Sequence, residues 1–152
     1  MPDVITAAEY IEINSIPLAT PAWRVTSLVP LWAGPALRGE DRLIEDTEGL
    51  RPYRRLVTAT RVALPMAIFG DFTRENVPIA DTRAGLHDNY DVLYTGLLTP
   101  PLTTAGTVTA VWHKPGTDRT AAVHVLGLAV RELSPRAIRA TLQLSIPDGV
   151  WT

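Results

Sequence analysis

The sequence predicts a mainly β domain, a β-sandwich or barrel with one flanking α-helix, and three observations carry that expectation. The first is the strict alternation in "AIRATLQLSI". Ile138, Ala140, Leu142, Leu144 and Ile146 fall on one face and Arg139, Thr141, Gln143 and Ser145 on the other, the period-two pattern of a strand with one face in a core. The second is a lone helical stripe in "DTRAGLHDNYDVLYTGLLTPP", where Leu86, Tyr90, Leu93 and Leu97 recur at spacings of four, three and four. One amphipathic helix cannot build a helical domain, so it must lie against a sheet. The third is the thirteen prolines, which suit many loops and protected strand ends.

The remaining elements follow in order. "RLVTATRVALPMAIFG" and "TVTAVWHK" read as strands. The helix is expected to open on a cap from Asp81 or Thr82 and to stop at Pro100–Pro101. "WHKPGTDRTAAVHV" reads as a hairpin whose turn is supplied by Pro115, Gly116 and Asp118. "AAVHVLGLAVREL" is apolar on both faces, as a central strand is, and Gly127 within it marks a bulge or a close backbone approach.

A chain of 152 residues with 46% hydrophobic content and a mean hydropathy of +0.09 fits one domain, 1–152, with a sizeable core. The net charge of −2 advertises neither a nucleic-acid binder nor a partner for anionic membranes. Thirteen of the fourteen basic residues are Arg, with Lys114 the exception. Arg suits interfaces through bidentate pairing with carboxylates, and a GC-rich genome gives the same skew. The absence of Cys removes disulfides, thiolate metal ligands and cysteine nucleophiles. "MPDVITAAEYIEINSI" has no basic region followed by an apolar run, and no stretch reaches the roughly 18 apolar residues of a membrane span. The expectation is a soluble protein made without a signal peptide.

Gly34–Leu56 is the least ordinary stretch: five arginines and five acidic residues between strand-like segments. A phosphate-gripping patch carries a local cationic excess, but here Glu40, Asp41, Glu45, Asp46 and Glu48 offset the arginines. Mixed signs in so long a connection favour complementary pairing across a protein surface over a solvated loop. The interface candidates are Arg38, Arg42, Glu45, Asp46, Glu48, Arg51, Tyr53, Arg54 and Arg55.

Catalytic chemistry finds no foothold. His87 falls on the polar side of the helix, and His113 and His124 lie on two hairpin strands without carboxylates at a ligand spacing. Ser15, Ser27, Ser134 and Ser145 carry no nucleophile signature, and no phosphate-loop or dinucleotide motif is present. The chain is read as a non-enzyme without catalytic residues, metal or cofactor. Trp23, Trp32, Trp112 and Trp151 are read as core or interface anchors, with stacking platforms for a carbohydrate as the alternative.

Taken as a run of landmarks, the sequence resembles the β-rich tail-tube-fold proteins of long-tailed bacteriophages, actinobacteriophage type. The matching stretches are "INSIPLATPAW", Arg38–Gly39, "EGLRPYRR", "MAIFGD", "DTRAGLHDN", "VHVLGL" and "RATLQLSIPDG", which together cover nearly the whole chain. Asn14–Ser15 stands where those proteins carry Asn-Gly, and "IEDTEG" stands where a Pro-Gly-type turn is expected, giving the arm a more acidic tip. The resemblance implies a virion structural protein, made in the host cytoplasm, that assembles with itself into hexameric rings. Those rings form the tail tube through which DNA passes as cargo, or alternatively the distal-tail ring at the tip. It also implies tape-measure, tail-tip and terminator proteins as partners, and a lumen lined by neutral or acidic side chains. Readings from other classes are a monomeric β-sandwich that binds a carbohydrate or other ligand, and a hydrolase with an unrecognised site.

Overall fold

The computed structural model describes residues 3–32, 37–38, 42–43, 50–51, 56–57, 59–104 and 106–152. The strands are β1 (Tyr10–Ile13), β2 (Ile16–Pro17), β3 (Trp23–Val25), β4 (Leu37–Arg38), β5 (Arg42–Leu43), β6 (Leu50–Arg51), β7 (Leu56–Val57), β8 (Thr60–Phe69), β9 (Val108–His113), β10 (Arg119–Leu133) and β11 (Ala137–Ile146). The helix, α1, spans Thr82–Thr104. Seven strands join in the order β2-β1-β9-β10-β11-β8-β3, every pair antiparallel.

β10 organises the sheet. Its first residues, Arg119–Val123, pair with β9, and from His124 onward it pairs with β11. The change of partner coincides with a register shift between Val125 and Gly127, the bulge that Gly127 led one to expect. An extra residue bends a strand and sharpens its twist, so β10 turns the corner between two half-sheets. The two ends of the strand order also meet. Leu18 donates its N–H to Ile11 and accepts one from Val25, and Ala19 bridges Arg24. The sandwich is therefore closed along this corner.

The inward positions make one core. Ile138, Ala140, Leu142, Leu144 and Ile146 are all buried, as their alternation predicts, and Val62, Leu64, Met66 and Ile68 of β8 face the same interior. Each fully buried Leu or Ile contributes about 1.5–3 kcal/mol, so this face tolerates little change. Trp23 is fully buried, and its indole N–H donates to the Pro17 carbonyl at 3.0 Å. Pro65 sits mid-strand, where β8 otherwise needs donors. Its carbonyl accepts the Thr26 N–H, so its missing N–H faces the side where the β3 pairing, Trp23–Val25, has just ended.

α1 packs its predicted stripe, Leu86, Leu93 and Leu97 buried and Tyr90 half-buried, onto this core. Asp81 is the cap: its carboxylate accepts the Ala84 N–H at 3.1 Å. Two contacts fix the helix at its start. Asn89 donates to the carbonyls of Phe69 and Phe72, and Gly70 admits the first turn so closely that a Cβ there would lie 2.0 Å from the Thr82 carbonyl oxygen.

Pro100–Pro101 does not stop the helix, which runs on to Thr104. Pro100 deprives the Gly96 carbonyl of its usual donor four residues on. The Asn14 side-chain amide takes that place, donating to the Gly96 oxygen at 3.1 Å. Asn14 can do so because Asn14 and Ser15 form the tight β1–β2 turn with φ of 51° and 65°, the left-handed pair of a type I′ turn. Ser thus occupies a position that Gly fills more easily, without loss of the turn. Gly96 leaves room for Ile16, whose Cδ1 lies 2.2 Å from where a Cβ would stand.

Ser15→Gly is expected to raise stability by about 1 kcal/mol by relieving left-handed strain, and Asn14→Ala to lower it by about 1–3 kcal/mol through the orphaned carbonyl. Denaturant midpoints of the two variants should move in opposite directions. Gly70→Ala should cost about 3 kcal/mol, the upper end of overpacking losses, read as a lowered thermal midpoint.

Candidate assembly surfaces

Gly34–Leu56 is a folded-back arm where it is described. β4 pairs with β7, Leu37 opposite Val57 and Arg38 opposite Leu56, and β5 pairs with β6, Arg42 opposite Arg51 and Leu43 opposite Leu50. Arg38, Arg42 and Arg51 therefore sit on paired backbone. Glu45, Asp46, Glu48, Tyr53, Arg54 and Arg55 lie outside the described residues. Placing Arg42 opposite Arg51 sets two cationic residues at one register position, an unfavourable pairing for an isolated hairpin.

At the arm's root the sequence had hidden an exposed apolar pair. Val29 and Trp32 are each 72% exposed on the short 3₁₀ turn Val29–Trp32. The Trp32 ring meets the buried Trp112 edge-on at 5.7 Å, and Trp112 meets Trp151 in the same manner. Lys114 lies over both Trp32 and Trp112. Of the four tryptophans, Trp23 and Trp112 are core, Trp151 is half-buried and Trp32 faces outward.

The half-sheet β3-β8-β11-β10 has a largely uncovered outer face. Leu126, at the β10 bulge, is 52% exposed, and Val130 is exposed as well. The second apolar face of β10 therefore meets solvent, in contrast to a strand covered on both sides. Towards one end, Arg24, Arg131 and Arg139 line a shallow trough of about 640 Å³. The Arg24 guanidinium rests over the Phe69 ring at 5.2 Å.

The other half-sheet carries carboxylates around His113. His113 stacks on Tyr10 at 4.5 Å and stands between two carboxylates, with Nδ1 3.1 Å from Asp118 and Nε2 3.4 Å from Glu12. Trp112 donates its indole N–H to Glu9. The three histidines do not converge: His87 is exposed on α1, and His113 and His124 lie beyond opposite ends of the Arg119–Trp112 to Val123–Val108 ladder. Among the described residues, no three His, Asp or Glu side chains group as metal ligands, and no helix is long and apolar enough to cross a membrane. Near the N-terminus, Arg74 grips Asp3 with two guanidinium nitrogens. That bond holds its pKa above the usual Arg value against the opposing effect of burial.

The Tyr10 phenol is pushed above its usual pKa, first by burial and then by Glu12 and Asp118. Tyr90 is pushed the same way, by burial, then Tyr94 and Asp91. The folded chain thus holds these protons more firmly than the unfolded chain. The resulting stability is fully present below about pH 10, the unfolded phenol value, and is lost as pH rises through the raised folded values. Tyr10→Phe should flatten part of the alkaline fall in a denaturation series between about pH 9 and 11; an unchanged fall would assign it elsewhere.

No family model matches the chain, and no curated protein matches it. Among solved structures, the chain is similar to SPP1 Dit (gp 19.1), described as a paradigm of the hub adsorption apparatus in phages infecting Gram-positive hosts, with a TM-score of 0.56 and 14% identity. The match covers 94% of this chain and 51% of that one, so the chain spans about half the length of Dit. At this identity the likeness is one of fold, and it extends over nearly every element described above.

Proposed function

We propose that the chain is a structural protein of a bacteriophage tail that assembles with copies of itself into a ring, with six subunits as the resemblance implies. The observation that carries this reading is the fold shared with a tail hub protein along 94% of the chain. The surfaces agree with it. A ring needs two different surfaces that fit each other, and this domain offers a charged arm, an exposed Trp32, an uncovered strand face rich in arginine, and a carboxylate-bearing face around His113. The arm is the assembly element, with the charged residues of Gly34–Leu56 meeting opposite charges on a neighbour.

The likeness to a hub protein favours the distal-tail ring; the tail tube is the alternative that the sequence landmarks favour. In either ring, tape-measure or tail-tip proteins are the expected neighbours, and DNA is cargo. A tube adds one constraint: the arginine face must turn away from the channel, because guanidiniums there would hold the passing phosphates.

Negative-stain electron microscopy of the purified chain over a concentration series tests the reading. Discrete rings support the distal ring, long channelled tubes support the tube, and monomers at every concentration count against self-assembly. Arg54→Glu with Arg55→Glu should abolish assembly and leave the circular dichroism spectrum and melting temperature of the monomer intact. Trp32→Ala should weaken assembly at least tenfold, the loss of about 1.4 kcal/mol or more typical of an interface aromatic, with little change in the monomer's melting temperature.

A further inference from the structure

The uncovered sheet face and the helix turn complementary side chains outward. On the sheet, Arg24, Arg131 and Arg139 come from three strands, are exposed and line one trough. Along β10 the exposed Leu126 and Val130 precede Arg131, so the face is apolar and then basic in chain direction. Between the arginines, Pro65, Ala67, Ala137 and Thr141 form a low floor. A sheet face of this kind is the surface that a helix covers in layered folds.

α1 has the matching outer face. Asp88, Asp91, Val92 and Tyr94 are exposed, while Leu86, Leu93 and Leu97 are buried in the core. Val92 stands four residues beyond Asp88 and Tyr94 three beyond Asp91, so the four share one side of the helix. Arg83, the only Arg or Lys of α1, reaches the Ser134 carbonyl of its own subunit at 3.5 Å. The Tyr94 ring rests against Tyr90 at 5.8 Å, which orders it in advance and lowers the cost of a contact. Along α1 the order is acidic and then apolar, the reverse of β10. Laid antiparallel, the helix brings its carboxylates to the arginines and its apolar residues to Val130 and Leu126 together. Asp88 to Tyr94 covers about 9 Å of helix and Leu126 to Arg131 about 16 Å of strand, a difference that the long arginine side chains span.

We infer that the outer face of α1 docks on the uncovered sheet face of a second copy, with Asp88 and Asp91 of one subunit meeting Arg24, Arg131 and Arg139 of the next. This inference rests on the ring-forming reading and adds to it a joint made without the charged arm. Guanidiniums grip carboxylates bidentately, and Val92 and Tyr94 supply the apolar contact that charge pairing lacks. Single-stranded nucleic acid suits the face less well, since it needs aromatic faces for its bases, and the trough's one ring, Phe69, already lies under Arg24. The contact is heterologous, because helix face and sheet face are different surfaces. It therefore propagates from copy to copy, as a ring where the rotation closes and as a stack where it does not.

Two variants of the full chain and their mixture test it. Arg131→Glu with Arg139→Glu reverses the sheet face, and Asp88→Arg with Asp91→Arg reverses the helix face. All four positions are exposed, so both variants should keep the monomer's melting temperature. Each alone should need at least tenfold more protein than the wild type to assemble, as seen by sedimentation velocity and electron microscopy. An equimolar mixture of the two should assemble near the wild-type concentration, because alternating copies meet through one native and one reversed joint. Wild-type assembly by either variant alone would overturn the inference and leave the ring-forming reading intact. Two defective variants that fail to rescue each other would overturn α1 as the occupant. A wild-type chain that stays monomeric throughout would remove the parent reading, and the inference with it.

Discussion

One strand belongs to both halves of this fold, and the rest of the structure depends on how it bends. β10 pairs with β9 over its first residues and with β11 over its later ones, so the bulge between Val125 and Gly127 sets the angle at which the two half-sheets face each other. With that angle fixed, the inward residues of β8, β9 and β11 converge on one interior. The closing contacts of Leu18 and the Ala19–Arg24 bridge then become possible at the opposite corner. α1 adds a layer whose position is held at both ends, by the close approach at Gly70 and by the Asn14 amide on Gly96. Outward-facing features inherit this frame: Leu126 is the extra residue of the first register shift, and Arg131 is the extra residue of the second, between Val130 and Glu132.

What the sequence disclosed and what it concealed divides along the range of the interactions involved. The β11 alternation, the α1 stripe, the Asp81 cap, the Gly127 bulge and the hairpin turn around Gly116 are local patterns, and each has its counterpart in the structure. The helix beyond Pro100 was illegible. Its continuation relies on a donor 82 positions away in sequence, and no local rule anticipates a side chain from a distant turn replacing a missing backbone N–H. Trp32 was equally opaque, because nothing in its neighbourhood distinguishes an outward-facing indole from the buried Trp23.

The same division explains the surfaces. The mixed charge of Gly34–Leu56 could be read directly, and the described registers add that Arg38, Arg42 and Arg51 sit on paired backbone. The trough could not be read, since Arg24, Arg131 and Arg139 come together only through the β3–β8–β11–β10 order. Period-two reasoning placed Arg139 on the outer face of its strand, but two of its partners lie on other strands, and one of those is more than a hundred residues earlier in the chain.

The pairing of β1 with β9 also has a consequence in time. Glu12 and His113, whose side chains meet diagonally across these two strands, are 101 residues apart in sequence, so β1 must wait for most of the chain before it finds its place beside β9. Closing so long a loop is slow compared with hairpin formation, and during synthesis β9 emerges with one flank bare. Arg24 sits just past the same N-terminal segment, and its neighbours in the trough come from β10 and β11, the last strands to be made. The nascent chain therefore carries β1 without its β9 partner, and β8 without β11, until nearly the whole chain has been made. The sandwich closes only once its last strands are out, so the domain folds as a whole after synthesis rather than strand by strand along the way.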